Sequence, residues 1–149
     1  MSYQEQGRAG LGEGPVTTEN ATRNVWDTLA ADGRFTRFLQ AARGAQLENN
    51  FRGPERITVF AVPDDAIRSE SDEALRGLVP MHVAHGYQTS ADLRMVSGVR
   101  SLDGPSVTVG YEEGRIRFGD ATVEHADIAC TNGMIHVLNR LTRQCTYAG

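Results

Sequence analysis

Residues 126–141 read ADIACTNGMIHVLNRL. The Asn132-Gly133 pair separates two apolar runs, and both residue types tolerate the positive φ angles of a type I′ hairpin turn. After the turn, the alternation of side chains puts His136 on one face of a strand and Ile135 and Val137 on the other. The stretch therefore predicts a hairpin whose tight turn leads into a final strand, with a packed and hydrogen-bonded histidine in that strand.

A second apolar stretch, ITVFAVPDDAI, occupies residues 57–67. Its first part is rich in β-branched and aromatic residues and ends at Pro63, which predicts a strand buried on both faces. The residues that follow are typical of a helix start, because Asp64 and Asp65 favour the unpaired N–H groups of a first turn. Further turn signals occur at Asp103-Gly104, Glu113-Gly114 and Gly119-Asp120, with short predicted strands between them.

The helical patterns lie in the part of the chain before residue 80. Asn24 is a good N-cap for a helix that contains Val25, Trp26 and Leu29. A second helix has its apolar stripe at Phe35, Phe38, Leu39 and Ala42, with Gly44 as its stop, and a short third helix covers residues 71–78. Helices first and hairpins later predict an α+β fold. One core is expected to contain Phe38, Leu39, Val59, Phe60, Ile135 and Val137.

Length and composition limit the classes of protein. A chain of 149 residues fits one domain, and 40% hydrophobic residues with 23% charged residues are ordinary for a folded protein. The formal net charge is -4, and the 15 basic residues, all arginine, are spread among 19 acidic ones. Because no basic face is available to neutralise a phosphate backbone, nucleic acid is not an expected partner.

The predicted organisation is a polar N-terminal arm over residues 1–22, a domain over residues 23–145 and a tail over residues 146–149. No run is long and apolar enough to span a bilayer, and the start has no apolar core of a secretory signal. We therefore expect a cytoplasmic protein, or an extracellular one if Met1 is not the native start. Cys130 and Cys145 are expected to be free thiols, since two cysteines in a domain of this size form no disulfide framework.

Three segments together resemble the fasciclin domain family: ITVFAVPDDAI at residues 57–67, MHVAHGYQTSADL at residues 81–93, and ADIACTNGMIHVLNRL at residues 126–141. The resemblance covers about residues 23–142 and implies an α+β fold in which helices pack beside a small β-sandwich or wedge. Met81 stands where the family usually has a tyrosine before the histidine, here His82. The segment between Ile67 and Met81 is shorter than is usual in the family, which predicts a groove left open.

The resemblance implies a non-catalytic interaction or binding module as the function. Asp127-Ile128 matches a short acidic and aliphatic element that is implicated in integrin binding in some animal relatives. The segment at Met81 and His82 corresponds to one implicated in binding in others. These four residues are the candidate contact residues. The expected partner is a protein or a small-molecule ligand, and the oligomeric state is left open.

The alternative is an intracellular biosynthetic enzyme on the same scaffold, which acts by proton transfer on a small metabolite in the open groove. Its candidate groups are His82 or His85 as base, with Tyr87, Asp65 or Asp92 assisting. This hypothesis predicts a pocket bordered by part of Met81–Tyr87 and by Pro63–Ile67, with a histidine reaching it.

A third possibility is a ligand-binding module without chemistry, which needs the same pocket and no titrating group. Known catalytic and cofactor-binding sequence motifs do not identify a function. The chain has no nucleophile elbow, phosphate loop, dinucleotide fingerprint or zinc spacing, so no cofactor and no metal are expected. His82 and His85 are three residues apart, but Met81–Tyr87 is predicted to be a strand, which would point the two side chains to opposite faces and disfavours a shared metal.

Overall fold

The computed structural model of the protein describes residues 23–102 and 106–142, and the fold is α+β as predicted. The arm at residues 1–22, the Asp103-Gly104 turn, Cys145 and the tail at residues 146–149 lie outside the described residues. The arm, the turn and the free state of the two thiols therefore stay predictions.

The α-helices are α1 (Val25–Asp32), α2 (Thr36–Gly44), α3 (Glu48–Arg52), α4 (Asp72–Leu78) and α5 (Ser90–Leu93), and two 3-10 helices span Asp64–Ile67 and Val79–His82. Four of the α-helices, α1 to α4, pack on one another and on the two 3-10 helices. The predicted cap of α1 is confirmed, because Asn24 Oδ1 accepts a hydrogen bond from Asp27 N–H at 2.7 Å. Ser71 caps α4 in the same way. Gly44 is the last residue of α2, and Ala45 is the C-cap.

The strands form one nearly closed sheet. They are β1 (Ile57–Ala61), β2 (Val83–His85), β3 (Gly98–Arg100), β4 (Ser106–Glu112), β5 (Arg115–Phe118), β6 (Ala121–Cys130) and β7 (Gly133–Leu138). Their order is β2-β1-β7-β6-β5-β4-β3, in which β1 and β7 are parallel and the other pairs are antiparallel. A bridge between Ala84 and Ser101 joins the two edges of the sheet.

Met81–Tyr87 is not the continuous strand that the sequence predicted. Met81 and His82 belong to the Val79–His82 3-10 helix, which has a proline in its first turn. The strand covers Val83–His85 alone and pairs with β1. Proline favours a helical first turn and cannot donate to a strand ladder, so the chain turns inward at this point before it becomes extended.

The predicted core is confirmed. Its six residues are all buried and belong to one cluster that joins helices and sheet. Phe60 lies in β1, between two rings contributed by β5 and β7. Its ring stacks on Phe118 with centroids 3.9 Å apart and on His136 at 5.4 Å. The aromatic contact across the sheet gives Phe60 more neighbours than an aliphatic side chain would have.

The predicted turn at Asn132-Gly133 is present, but its geometry differs from the prediction. The turn residues are Thr131 and Asn132, Gly133 pairs with Cys130 as the first residue of β7, and neither Asn132 nor Gly133 has a positive φ. A hairpin turn with two positive φ angles lies instead at Glu113 (φ 52°) and Gly114 (φ 80°). The turn propensities of Asn132-Gly133 and Glu113-Gly114 do not show which pair has positive φ angles, because an asparagine can also occupy a buried position where its side chain forms hydrogen bonds.

Gly133 is a glycine because of a close backbone approach. A Cβ atom at this position would lie 2.2 Å from Ile57 O in β1 and 3.0 Å from Val25 Cγ2 in α1. Any side chain would therefore push β7 away from its parallel partner and from the first helix. The residue requirement comes from packing of the sheet and not from the turn.

Gly133→Ala should lower the free energy of unfolding by about 3 kcal/mol, because the added methyl group clashes with a backbone atom that cannot rotate away. Gly77→Ala is the matched control, since Gly77 lies in α4 and a Cβ there meets nothing within 4 Å. The control should be neutral or more stable by about 0.5 to 1 kcal/mol. Urea unfolding of both variants tests this, and equal stabilities would contradict the packing explanation.

Phe60→Ala should cost about 3 to 5 kcal/mol of unfolding free energy, because it empties a site between two rings in the centre of the core. Met95→Ala is the control, since the Met95 side chain is exposed and its removal should change stability by less than about 0.5 kcal/mol. An unchanged unfolding midpoint for Phe60→Ala would show that the core is arranged differently.

Candidate functional site

His82, one of the two candidates for a catalytic base, is buried and structural. Its Nδ1–H donates to Leu78 O at 2.9 Å, and its Nε2 accepts from Thr142 N–H at 3.2 Å. Burial lowers the pKa of His82 to about 4, although the Leu78 carbonyl and the charge of Asp120 act in the opposite direction. The imidazole is neutral at ordinary pH with both nitrogens occupied, so it has neither access nor a free lone pair for a substrate.

His136 has a similar role on the other side of the core, as the sequence predicted. Its Nε2–H donates to Gln88 O at 2.6 Å, and its Nδ1 accepts from Asp127 N–H at 3.2 Å. Burial lowers the pKa of His136, and the Gln88 carbonyl and Asp127 partly offset this effect. The ring therefore fastens the segment after β2 to a bulge in β6.

Asp127 also joins β6 to the segment that follows β2. It has a φ of 65° at an irregularity in β6, and its two carboxylate oxygens accept from Ser90 N–H at 2.7 Å and from Ser90 O–H at 2.5 Å. Ile128 is half-buried against the core. The candidate contact element Asp127-Ile128 thus has its carboxylate engaged within the domain, and Met81 beside His82 is buried as well.

The structure does not bring the other candidate catalytic residues together. His85 is exposed at the end of β2, and Tyr87 lies under the guanidinium of Arg56. Asp65 is exposed and pairs with Arg68, while Asp92 completes the capping box of α5. Among residues 23–102 and 106–142, no hydrogen bond, ion pair or ring contact joins any two of the five candidates.

Cys130 is not suited to nucleophilic chemistry in this conformation. The thiol is buried in the core, and burial raises its pKa to about 11, with a small opposing effect from the Thr28 hydroxyl. A thiol with this pKa is protonated at neutral pH, and the thiolate is the reactive form.

A groove lies at the predicted turn, but its lining differs from the prediction. This Pro63 groove has a volume of about 620 Å³ and is lined by residues 33–34 and 63–66 with Glu124 and Asn139. The lining includes no residue of Met81–Tyr87 and no histidine. The predicted pocket is therefore wrong in its second wall, because residues 81–84 are buried and do not line the groove.

A second cavity was not foreseen from the sequence. The Arg94 cavity, of about 410 Å³, lies between α5 and the β4–β6 strands, and its lining residues include Ser90, Arg94, Tyr111, Arg115, Ile116 and Glu124. The guanidinium of Arg94 lies over the Tyr111 ring at 4.4 Å. The cavity volume is within the usual range of about 300 to 1,000 Å³ for ligand-binding sites.

Exposed apolar side chains flank this cavity. Met95, Val96 and Tyr111 are exposed to 84%, 40% and 47%, and we call these three residues the Met95 patch. Val109 N–H donates to Ser97 O, and Gly98 pairs with Thr108. Met95 and Val96 follow Arg94 directly in the chain, and the Arg94 guanidinium lies over the Tyr111 ring, so the three residues of the patch lie around one arginine.

The sequence gives a weak signal for the patch. Val107 and Val109 alternate toward the core in β4, and the same alternation predicts that Tyr111 is buried. Tyr111 is half exposed instead, at the end of β4 where Arg94 covers part of its ring. The pair Met95-Val96 after the short helix α5 is the sequence feature that could have suggested an exposed apolar site.

For residues 23–102 and 106–142, no helix is long and apolar enough to cross a membrane. Within the same described ranges, no group of three or more His, Cys, Asp or Glu residues is placed to hold a metal ion.

A group of packed helices beside a nearly closed seven-stranded sheet, with histidines that fasten loops to the core, defines an α+β domain of the fasciclin type. Residues 33–142 match the Fasciclin domain family, and the chain belongs to this family. The fold is similar to a FAS1 domain pair from the insect cell adhesion molecule Fasciclin I, with a TM-score of 0.70 and 19% identity. That match covers 83% of this chain and 52% of the other.

Curated relatives occur in bacterial and animal proteins of different lengths. The uncharacterized protein sll1735 of Synechocystis sp. is 30% identical over 79% of this chain and 96% of its own length. Transforming growth factor-beta-induced protein ig-h3 of Sus scrofa is 25% identical over 80% of this chain and 19% of its own length. Stabilin-1 of Mus musculus is 30% identical over 83% of this chain and 5% of its own length.

The buried histidines should make stability depend on pH. The unfolded chain protonates His82 near its ordinary pKa of 6.5, whereas the folded chain resists protonation down to about 4. Between these two pH values the unfolded state therefore binds more protons than the folded state. The stabilising contribution of neutral His82 is fully present above about pH 6.5 and is lost as the pH falls toward 4. The loss from His82 alone should be about 3 kcal/mol, and His136 adds to it in the same direction.

Urea unfolding at several pH values across this window tests the dependence. His85→Gln is the matched control, because the His85 ring is exposed, and this variant should follow the pH dependence of the wild type. A stability that stays constant between about pH 6.5 and about pH 4 would contradict the structural role of the two buried imidazoles.

Proposed function

We propose that this chain is a non-catalytic interaction module that binds a protein partner through the Met95 patch. The observation that carries the proposal is the exposure of three large apolar side chains, Met95, Val96 and Tyr111, beside the Arg94 cavity. A methionine that is 84% exposed beside a half-exposed tyrosine is typical of a surface that a partner covers, because methionine and tyrosine are both enriched in interfaces.

Membership of the fasciclin family supports the same class of function. Relatives at 25% to 30% identity include domains within much longer animal proteins, and the fold resembles that of an insect cell adhesion molecule. Fold and family alone are an associational argument, so the specific surface has to come from this chain's own residues.

The other candidate contact residues have less support. The Asp127 carboxylate is occupied by Ser90, Ile128 is half-buried, and Met81 and His82 are buried. A partner would have to open the fold to reach them. The enzyme hypothesis has less support for a related reason, since its candidate bases are sealed in the core or lie apart from the Pro63 groove.

A binding experiment with patch variants tests the proposal. Met95→Asp and the double variant Met95→Asp with Tyr111→Ser should weaken binding of a purified partner by about thirtyfold or more, the size of an interface hot spot. The partner is first captured with the immobilised chain and then purified for calorimetric titration. Hydrogen exchange should show protection of residues 94–97 and 109–112 in the complex.

Ser69→Asp is the matched control, because it adds the same charge at an exposed position that lines neither cavity. This variant should bind the partner as the wild type does. A purified partner that binds Met95→Asp with unchanged affinity, or that protects other residues, would overturn the proposal.

A further inference from the structure

The Arg94 cavity and the Met95 patch adjoin, and together they have a defined chemistry. Arg94 and Arg115 both line the cavity, with Glu124 as the carboxylate-bearing residue of its wall. The Met95 patch begins at the next residue after Arg94, and it shares Tyr111 with the cavity. A partner that covers the patch therefore also meets the two guanidinium groups.

The two arginines are available for an external anion. Neither Arg94 nor Arg115 forms an ion pair with any carboxylate in the described part of the chain, in contrast to Arg117, which lies 3.6 Å from Glu112. Arg94 is stacked over Tyr111 by one face of its guanidinium, at 4.4 Å from the ring centroid. Stacking restrains the side chain and leaves the N–H edge free, which is the edge that binds a carboxylate in a bidentate manner.

The second arginine lines the same cavity from β5. Arg115 is the first residue of β5 and pairs with Glu112 across the β4–β5 hairpin, and it lines the cavity together with Arg94 and Tyr111. Glu124 lowers the net positive charge of the cavity without removing it. The complementary ligand therefore carries a carboxylate and avoids Glu124.

The extent of the surface favours a polypeptide over a small molecule. A small carboxylate in the cavity would leave Met95 and Val96 uncovered, because neither residue lines the cavity. A peptide segment with an acidic side chain next to an apolar one satisfies both parts at once. The apolar side chain covers the patch, and the carboxylate enters the cavity.

We infer that the partner presents an acidic segment, with an aspartate or glutamate beside a large apolar residue, to Arg94, Arg115 and the Met95 patch. This inference rests on the proposed function and adds the chemistry of the partner. It predicts that the binding affinity changes in opposite directions when basic and acidic residues of the cavity are replaced. Replacing an arginine weakens binding, and replacing Glu124 strengthens it.

A random-peptide display library panned on the folded chain supplies the probe. Enriched peptides should combine Asp or Glu with a large apolar residue, and a synthetic peptide of the enriched sequence should compete with the purified partner. Fluorescence anisotropy then measures its affinity at low and high salt. Binding should weaken with salt and should be lost when the peptide's acids are replaced by their amides.

The variants test the sign of each charge. Arg94→Gln and Arg115→Gln should each weaken peptide binding about tenfold, and Arg94→Lys should be intermediate because it keeps the charge and loses the planar fork. Glu124→Gln should tighten binding about two- to threefold. Arg68→Gln, which removes an exposed charge outside the cavity, is the matched control and should bind as the wild type does.

Different outcomes separate this inference from the proposed function. If Met95→Asp abolishes partner binding while both arginine variants keep it, the inference is wrong and the interaction module remains. If no peptide is enriched, or if the enriched peptides lack acidic residues, the inference is also overturned. If Met95→Asp has no effect on the partner, the proposed function itself fails.

Discussion

Asn132 joins three separate segments of the chain, two through its side chain and one through its backbone carbonyl, and the arrangement of the helices on the sheet depends on it. Its Oδ1 accepts from Val25 N–H at the start of α1 at 2.9 Å, and its Nδ2 donates to Phe51 O near the end of α3 at 3.0 Å. Its own carbonyl accepts from Ile57 N–H at the start of β1. Because an amide is both donor and acceptor, neither an apolar residue nor a carboxylate can make all of these bonds. Helix ends leave unpaired backbone groups, and here one buried side chain satisfies two of them.

Gly133 extends the same constraint into the sheet. With no Cβ, it lets β7 approach Ile57 and α1 closely, and the parallel pairing of β1 and β7 starts at this contact. The buried imidazoles then fix the remaining loops, since His82 joins the Val79–His82 turn to Thr142, and His136 joins Gln88 to the bulge of β6. Neutral histidine can donate and accept at once, so each ring satisfies two backbone groups without placing a charge in the core.

The sequence predicts those elements of the fold that depend on residues close together in the chain. The cap at Asn24 and the buried strand that starts at Ile57 follow from capping and composition, and the structure has both. The site could not be predicted in the same way. Whether a histidine faces solvent depends on a partner sixty residues away in the chain, as with Thr142 and His82. Similarly, the Met95 patch depends on the contact of the Arg94 guanidinium with the Tyr111 ring, which joins two segments that no spacing rule connects.

The residues that resemble the family and the residues proposed to bind a partner are different sets. Asn132, His82, His136 and Asp127 all lie within the three matching segments, and each is used for hydrogen bonds inside the domain. Met95, Val96, Tyr111, Arg94 and Arg115 all lie outside those segments. Matching motifs therefore carry information about how the scaffold is held together, and a shared scaffold is compatible with different partners. In this chain the matching motifs therefore do not identify a partner. The surface proposed to bind one consists of residues outside the motifs, an apolar patch beside two guanidinium groups that form no ion pair in the described part of the structure.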